Sequence, residues 1–248
     1  MPLKLVLFEL SGVLLDEWSE FAALDATMGA VRDRFHLKET AEELSGDFSL
    51  RLMDLLAVEP HPIAGVAEEA PSDFQPFEMA AKELFVEMLD DRGFTADSKD
   101  SAWFWDTLVR EHRAQAKPHG EAPKVLRALQ EEGLKLGILT DTDPALVQAL
   151  LEGADLRGWF DLIVTSRDCG YVKPSPKIFE AGLEAAKVRA EEALMVGPSY
   201  ERDVQGAVRA GMHGILLDRH DARTVPPEEK ATTLRKIMPR VRDLLAAP

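Results

Sequence analysis

The stretch Leu3–Asp16, LKLVLFELSGVLLD, decides the fold of this chain. Its apolar run Leu5–Phe8 is too short for a membrane span or for a helix of about ten residues, so it predicts a strand buried on both faces. Such strands are typical of parallel sheets. Glu9, Ser11 and Gly12 follow at once, and folds of this kind bind ligands at the carboxyl edge of the sheet. This edge is therefore the first candidate site.

Composition narrows the class of protein. The chain has 248 residues, of which 46% are hydrophobic, which is enough for a large core and predicts one large and one small unit. Its 29 basic and 44 acidic residues give a net charge of −15. A field of this sign repels the phosphates of nucleic acids and anionic membrane surfaces, so we expect neither as a partner. A small anion held in a local basic pocket is still compatible with it.

Several classes of site receive no support from the sequence. The single cysteine, Cys169, excludes an intramolecular disulfide and favours a reducing compartment. The N-terminal apolar run lacks the long hydrophobic region and cleavage site of a signal peptide, so we expect a cytoplasmic protein. No nucleophile elbow, Walker loop, dinucleotide-binding glycine motif or metal-binding histidine spacing is present.

Residues 17–115 have a helical pattern. Apolar side chains recur at helical spacing both before and after the proline-rich break Val58–Pro76. After the break, helices are predicted at Phe77–Arg92 and Ala102–Arg113. Their aromatic and methionine residues are expected in a helical core, with a substrate cleft as the alternative. Exposed aromatics around Trp103 and Trp105 would form a dimer face, so we expect a monomer or a homodimer.

From Lys117 onward, short apolar runs alternate with helices. The predicted strands are 134–139, 161–165, 193–196 and 215–217, and the predicted helices are 121–132, 145–151, 176–186 and 203–210. This alternation predicts a three-layer α/β fold, in which a Rossmann-like parallel sheet carries helices on both faces. The helical block is then an inserted domain. The predicted domains are a core of 1–16 with 117–248 and a helical domain of 17–116.

Polar residues from four strand ends converge on one edge of this predicted sheet. An anion there would meet the ammonium of Lys173, the hydroxyl of Thr140 and backbone N–H groups at helix starts, a combination typical of phosphate sites. The expected partner is therefore a small phosphorylated or otherwise anionic molecule. The expected binding residues are Gly12, Thr140, Asp141, Lys173 and Ser199.

Four motifs lie at these strand ends, namely FELSGVLLD, ILTDTDP, YVKPSPKIF and MVGPSYERDVQGAVRAGM. In this order and at these intervals they resemble the haloacid dehalogenase superfamily, and within it the small phosphatases with a helical C1-type cap inserted after the first strand. The resemblance covers nearly the whole chain. It implies a hydrolase core, a cap that selects the substrate, and magnesium as the cofactor.

The resemblance also shows where this chain departs from the family pattern. Family phosphatases have a first motif D-x-D-G, in which the first aspartate attacks phosphorus and the second is the general acid and base; Glu9 and Ser11 stand there. In the fourth motif, Pro198 replaces an aspartate that helps to hold magnesium. The expected catalytic residues are thus Glu9, Ser11 and Lys173. Glu9 and Asp203 are the remaining metal ligands of a weakened or absent site.

Structural roles stay open for some of these residues. Asp16 would serve as the N-cap of the first inserted helix. Asp203 would pair with Lys173 without any metal. Conversely, Asp141 or Glu201 would replace the lost metal ligands, because both lie on the same predicted edge.

The sequence leaves more than one function open. The extra methylene of Glu9 moves its carboxylate by roughly an ångström, which costs ~10²-fold in rate, and a serine at Ser11 forgoes acid–base help of ~10²- to 10⁴-fold. We therefore expect a phosphatase-type hydrolase that acts on or binds a small phosphorylated molecule with impaired phosphoaspartyl chemistry. The alternative is a catalytically inactive binding or regulatory protein. A metal-independent dehalogenase is a third hypothesis, although such an enzyme also needs the attacking aspartate.

Overall fold

The computed structural model describes residues 1–56 and 76–247, so the proline-rich break predicted at 58–76 lies almost entirely outside the described residues. The chain divides into two compact units. The first contains Met1–Glu17, Lys117–Thr142 and Ala154–Pro248, and the second contains Trp18–Ala116 and Asp143–Gly153. No helix in the described ranges is both long enough and apolar enough to cross a lipid bilayer.

The first unit is built on a parallel sheet. Its strands are β1 Leu5–Phe8, β2 Lys135–Thr140, β3 Leu162–Thr165, β4 Ala193–Gly197, β5 His213–Leu217 and β6 Lys230–Ala231. They are all parallel and follow the order β3-β2-β1-β4-β5-β6 across the sheet. In β1, Leu5 pairs with Lys135 on one side and with Ala193 on the other. The predicted α/β class with a parallel sheet is therefore confirmed.

The chain forms ten helices in its described residues, and after residue 117 they alternate with the strands. They are α1 Glu17–Phe35, α2 Ala41–Leu56, α3 Phe77–Asp90, α4 Ser98–Gln115, α5 Ala122–Glu131, α6 Pro144–Gly153, α7 Ser166–Cys169, α8 Pro176–Ala186, α9 Gln205–Arg209 and α10 Met238–Leu245. A five-residue π-helix, Tyr200–Val204, leads from β4 into α9. The helices α5 and α7–α10 belong to the first unit, and α1–α4 and α6 belong to the second.

Burial of β1 holds the centre of the sheet in place. All four of its residues are buried, as the apolar run predicted. Leu5 and Leu7 pack in one cluster with Phe179 of α8. Phe8 meets the ring of Phe160, with the centroids 6.5 Å apart. Since successive side chains of a strand point to opposite faces, β1 is covered on both, and its carboxyl end is a firm support for the residues that follow.

The second unit has an aromatic core. The rings of Phe85 and Phe104 stack with their centroids 4.4 Å apart, and Phe48 lies 5.6 Å from Phe104. Asp97 caps α4 by accepting from the N–H groups of Lys99 and Asp100. The expected packing of the aromatic stripes into a helical core is confirmed for these rings, which are all buried.

One helix lies in a different unit from the one expected. A Cβ on Gly153, the last residue of α6, would lie 2.1 Å from the carbonyl oxygen of Arg113 in α4, so these helices touch backbone to backbone. The structure therefore groups residues 143–153 with the helical unit. The predicted division instead placed them in the core of 1–16 with 117–248, apart from the helical domain 17–116.

The predicted dimer face around Trp103 and Trp105 is wrong in its premise, because these rings are not openly exposed. Trp105 is 5% exposed, and its ring centroid lies 6.2 Å from that of Phe77. Trp103 is half-buried, with the guanidinium of Arg34 4.4 Å from its ring centroid. A run of aromatic residues in one helix does not reveal how much of the helix its neighbours cover, and here they bury Trp105 and cover part of Trp103.

Candidate active site

The carboxylate of Glu9 lies directly after the end of β1. The backbone N–H of Glu9 donates to the carbonyl of Val196 in β4 at 2.9 Å. Its Oε1 accepts from Thr140 Oγ1 at 2.6 Å and from the N–H of Leu10 at 2.7 Å. The side chain is 13% exposed. The sheet edge therefore fixes both the backbone and the carboxylate of Glu9.

Lys173 is the buried cation of the site, with a side chain that is 2% exposed. Its ammonium donates to Glu9 Oε2, to Asp203 Oδ1 at 2.6 Å and to the carbonyl of Leu139 at 3.3 Å. An ammonium has three N–H donors and no acceptor. Protein acceptors therefore use the full donor capacity of Lys173.

The charges of this cluster depend on one another. Burial disfavours the charged ammonium of Lys173, but the carboxylates of Asp203 and Glu9 outweigh it and raise its pKa above the ordinary value of 10.5. Burial raises the pKa of Glu9 against the opposing effect of Lys173, and Asp203 and Asp141 raise it further. Lys173 is therefore charged throughout the neutral range and is the fixed positive centre of the edge.

Asp203 is the second carboxylate bound to Lys173, and its side chain is 3% exposed. Its other oxygen, Oδ2, accepts the N–H of Ser199 at 2.9 Å. Gly197 at the end of β4 makes room for it, because a Cβ there would lie 2.3 Å from the Asp203 carboxylate. The structure thus contains the pair of Asp203 and Lys173 that the sequence left open.

Asp141 joins the cluster from the loop after β2. Its Oδ1 accepts the backbone N–H of Lys173 at 2.9 Å, and its Oδ2 accepts from Nη2 of Arg202. Ser166 Oγ donates to the backbone carbonyl of Asp141 at 3.0 Å. Asp141 therefore connects the backbone of Lys173 to a second cation, Arg202, whose side chain is 40% exposed.

Two loops meet beside Glu9. Gly12 has a φ of +72°, in the left-handed region that favours glycine, and a Cβ there would lie 3.4 Å from the Cβ of Pro198. Ser11 is half-buried and Pro198 is exposed. Ser11 therefore brings a hydroxyl and Pro198 brings no side-chain oxygen, so Glu9 is the carboxylate beside these two loops.

In this arrangement the described residues of the edge do not form a magnesium site. Magnesium requires a near-octahedral shell of oxygen ligands, usually with one or two carboxylates. Both oxygens of Glu9 and both of Asp203 already accept protein donors. Both oxygens of Asp141 do as well, and Glu201 pairs with Arg223 at 3.4 Å. Within residues 1–56 and 76–247, no group of three or more His, Cys, Asp or Glu side chains is arranged to hold a metal ion.

The structure brings most of the predicted site residues into one hydrogen-bonded network: Glu9, Thr140, Asp141, Lys173, Ser199 and Asp203. Ser11 and Gly12 lie in the loop that follows Glu9. Sequence reasoning missed Arg202. The available signal was an arginine directly before Asp203 in the fourth motif. The catalytic and binding roles of all these residues stay predictions.

A model of the haloacid dehalogenase-like hydrolase family matches residues 3–211. The chain is 36% identical over 124 residues to haloacid dehalogenase-like hydrolase domain-containing protein 3 of Bos taurus, covering 48% of this chain and 49% of that protein. It is 39% identical over 114 residues to phosphoserine phosphatase of Thermus thermophilus, covering 46% and 45% respectively. The chain therefore spans about half the length of the curated relatives it matches.

Solved structures match nearly the whole chain. A magnesium-bound structure of YfnB from Bacillus subtilis superposes with a TM-score of 0.74 at 18% identity, over 98% of this chain and 100% of that one. At this identity the match supports the fold alone.

Proposed function

The chain belongs to the haloacid dehalogenase-like hydrolases, and on that premise we propose that it is a phosphatase-type member whose edge site binds a small phosphorylated molecule but whose phosphoaspartyl chemistry is impaired. Phosphatases among its relatives support the substrate class. The helical unit would select the substrate, in the manner of a cap.

The observation that carries the proposal is the state of the Glu9 carboxylate. It accepts three hydrogen bonds, from Thr140, Leu10 and the ammonium of Lys173. A carboxylate has about four lone-pair sites, so little capacity is left for attack on phosphorus. Attack would also require its charge to leave the ammonium that stabilises it. Glu9 is therefore better suited as a counter-ion of Lys173 than as a nucleophile.

The second catalytic role is also weakened. A leaving alkoxide needs a proton, and general acid catalysis contributes typically ~10²- to 10⁴-fold. Ser11 would have to supply it, but a serine hydroxyl does not give up its proton near neutral pH. Pro198 offers neither a carboxylate nor an N–H. The weakened functions belong to one mechanism, so restoring a single residue would not restore turnover.

The alternative, a catalytically inactive binding or regulatory protein, is favoured by the same network. Its donors and acceptors satisfy one another, which is what a structural cluster requires. The two functions differ first in whether any turnover occurs, and the inactive protein would bind either a phosphorylated small molecule or a protein partner.

The test is gain of activity in the combined variant Glu9→Asp, Ser11→Asp and Pro198→Asp. Turnover of an aryl phosphate by this variant should exceed that of the wild type by about 10²-fold or more with magnesium, because it restores the nucleophile, the acid and the metal ligand together. Chelator should abolish the gain.

The matched control is Glu9→Asp alone, which restores the attacking residue without the acid or the ligand. It should stay close to the wild type. If the folded triple variant gains nothing, the impairment lies outside these three positions and the proposal is wrong.

A further inference from the structure

The donors expected to bind an anion are already used. Lys173 gives its three N–H groups to Glu9, Asp203 and the carbonyl of Leu139. The single hydroxyl proton of Thr140 goes to Glu9 Oε1 at 2.6 Å, with Thr142 Oγ1 at 3.3 Å as its other neighbour. A ligand oxygen would have to displace a carboxylate from either residue, and separating the buried charge of Lys173 from its partners is costly.

In contrast to Lys173 and Thr140, Arg202 keeps guanidinium donors that the described residues do not use. A guanidinium has five N–H donors in a rigid fork that fits phosphate oxygens in pairs. In the described part of the chain, the guanidinium of Arg202 makes one hydrogen bond, to Asp141 Oδ2. Its side chain is 40% exposed, whereas that of Asp141 is 17% exposed. The other donors of the fork are therefore open to a ligand.

The position of Arg202 belongs to the site and not to a remote surface. Its backbone N–H donates to Ser199 Oγ at 3.3 Å, and the next residue, Asp203, is bound to Lys173 at 2.6 Å. Asp141 links both cations, since one of its oxygens faces the backbone of Lys173 and the other faces Arg202. An anion held by Arg202 would thus be separated from Lys173 and its partners by the side chain of Asp141.

The charge balance of the site also favours Arg202 as the cation that binds an anion. Glu9, Asp141 and Asp203 bring three carboxylates to the edge, and Lys173 and Arg202 bring two cations, so the side chains carry a net charge of minus one when all are ionised. A phosphate entering such a site needs a donor whose charge is not already shared between two carboxylates. Arg202, which faces one carboxylate, meets that requirement.

We infer that Arg202 is the anion-recognition residue of this site: it binds the phosphoryl oxygens of the ligand directly and without a metal, while Asp141 holds its guanidinium in place and competes with the ligand for it. This inference rests on the proposed function, because it names the group that contacts the phosphorylated ligand.

The test is calorimetric titration of inorganic phosphate into the wild type and variants, in buffer with chelator. Arg202→Gln should weaken binding by about tenfold or more, as expected for the loss of hydrogen bonds to a charged group. Arg202→Lys keeps the charge without the fork and should give an intermediate loss. Asp141→Asn keeps the acceptor for the Lys173 N–H but removes the competing charge, so it should tighten binding.

The matched control is Arg223→Gln, which removes an exposed arginine that pairs with Glu201 at 3.4 Å and should change binding by less than about twofold. If the wild type binds phosphate and Arg202→Gln binds it equally well, the role of Arg202 is refuted and the proposed function stands. If the wild type binds no phosphate, both fail. Weaker binding by Asp141→Asn would show that Asp141 assists the ligand and does not compete with it.

Discussion

The two cations at the carboxyl edge of the sheet are held in opposite ways. The side chain of Lys173 is 2% exposed and gives every donor to a protein acceptor. That of Arg202 is 40% exposed and has one carboxylate partner. Burial makes the first cation part of the structure, and exposure leaves the second available for binding. The cation that a family motif identifies is thus not always the one that can reach a ligand.

The largest effect should come from Lys173→Met, which keeps the volume of the side chain but removes its charge. The buried Asp203 and the half-buried Glu9 would then lose their shared partner. Breaking a buried ion pair from one side typically costs about 3–5 kcal/mol. We expect a loss of that size in the free energy of unfolding, measured by urea titration with the slope unchanged. An unaltered midpoint would mean that the pair is not formed in solution.

A smaller effect is expected from Gly197→Ala. The added methyl group would lie 2.3 Å from the Asp203 carboxylate, so the carboxylate has to move away from Lys173. Overpacking of this kind typically costs about 1–3 kcal/mol. Gly120→Ala is the matched control, because nothing lies within 4 Å of a Cβ at that position. Equal stability of the two variants in thermal unfolding would refute the close packing of Asp203 on β4.

The smallest effect on stability should come from Arg202→Met, the counterpart of the lysine variant. The pair of Arg202 with Asp141 is partly exposed, and pairs of this kind contribute about 0–1 kcal/mol. Its contribution should also fall with added salt, which screens exposed charges more than buried ones. A loss of unfolding free energy as large as that of Lys173→Met would show that both cations are equally structural, and would contradict the contrast drawn between them.

Much of the fold followed from the sequence, because buried strands and helix ends carry strong local signals. The bounds of β1 and of α8 agree with the predicted ranges, since an apolar run and a proline start with an apolar face define them. The two-residue strand β6 was not predicted, because so short a segment has no periodicity of its own. The placement of α6 was also missed, since its apolar face does not say which unit it packs against.

The grouping of the candidate residues at one edge could be predicted, but the hydrogen bonds between them could not. Motif spacing brought Glu9, Lys173 and Asp203 to one edge, and the structure joins them. Motif spacing did not reveal how many N–H donors of Lys173 stay unused, because that number depends on the position of the carbonyl of Leu139. Arg202 escaped notice because an arginine in a turn usually faces solvent, and its significance depends on the contact with Asp141.

The central claim, that Glu9 serves as a counter-ion and not as a nucleophile, is tested most directly by aryl phosphate turnover in the purified wild type, with magnesium and with chelator, beside Glu9→Gln. The account predicts the same slow rate in all three cases, because Glu9 neither attacks phosphorus nor holds a metal. Magnesium-dependent turnover in the wild type that disappears in a folded Glu9→Gln variant would contradict it.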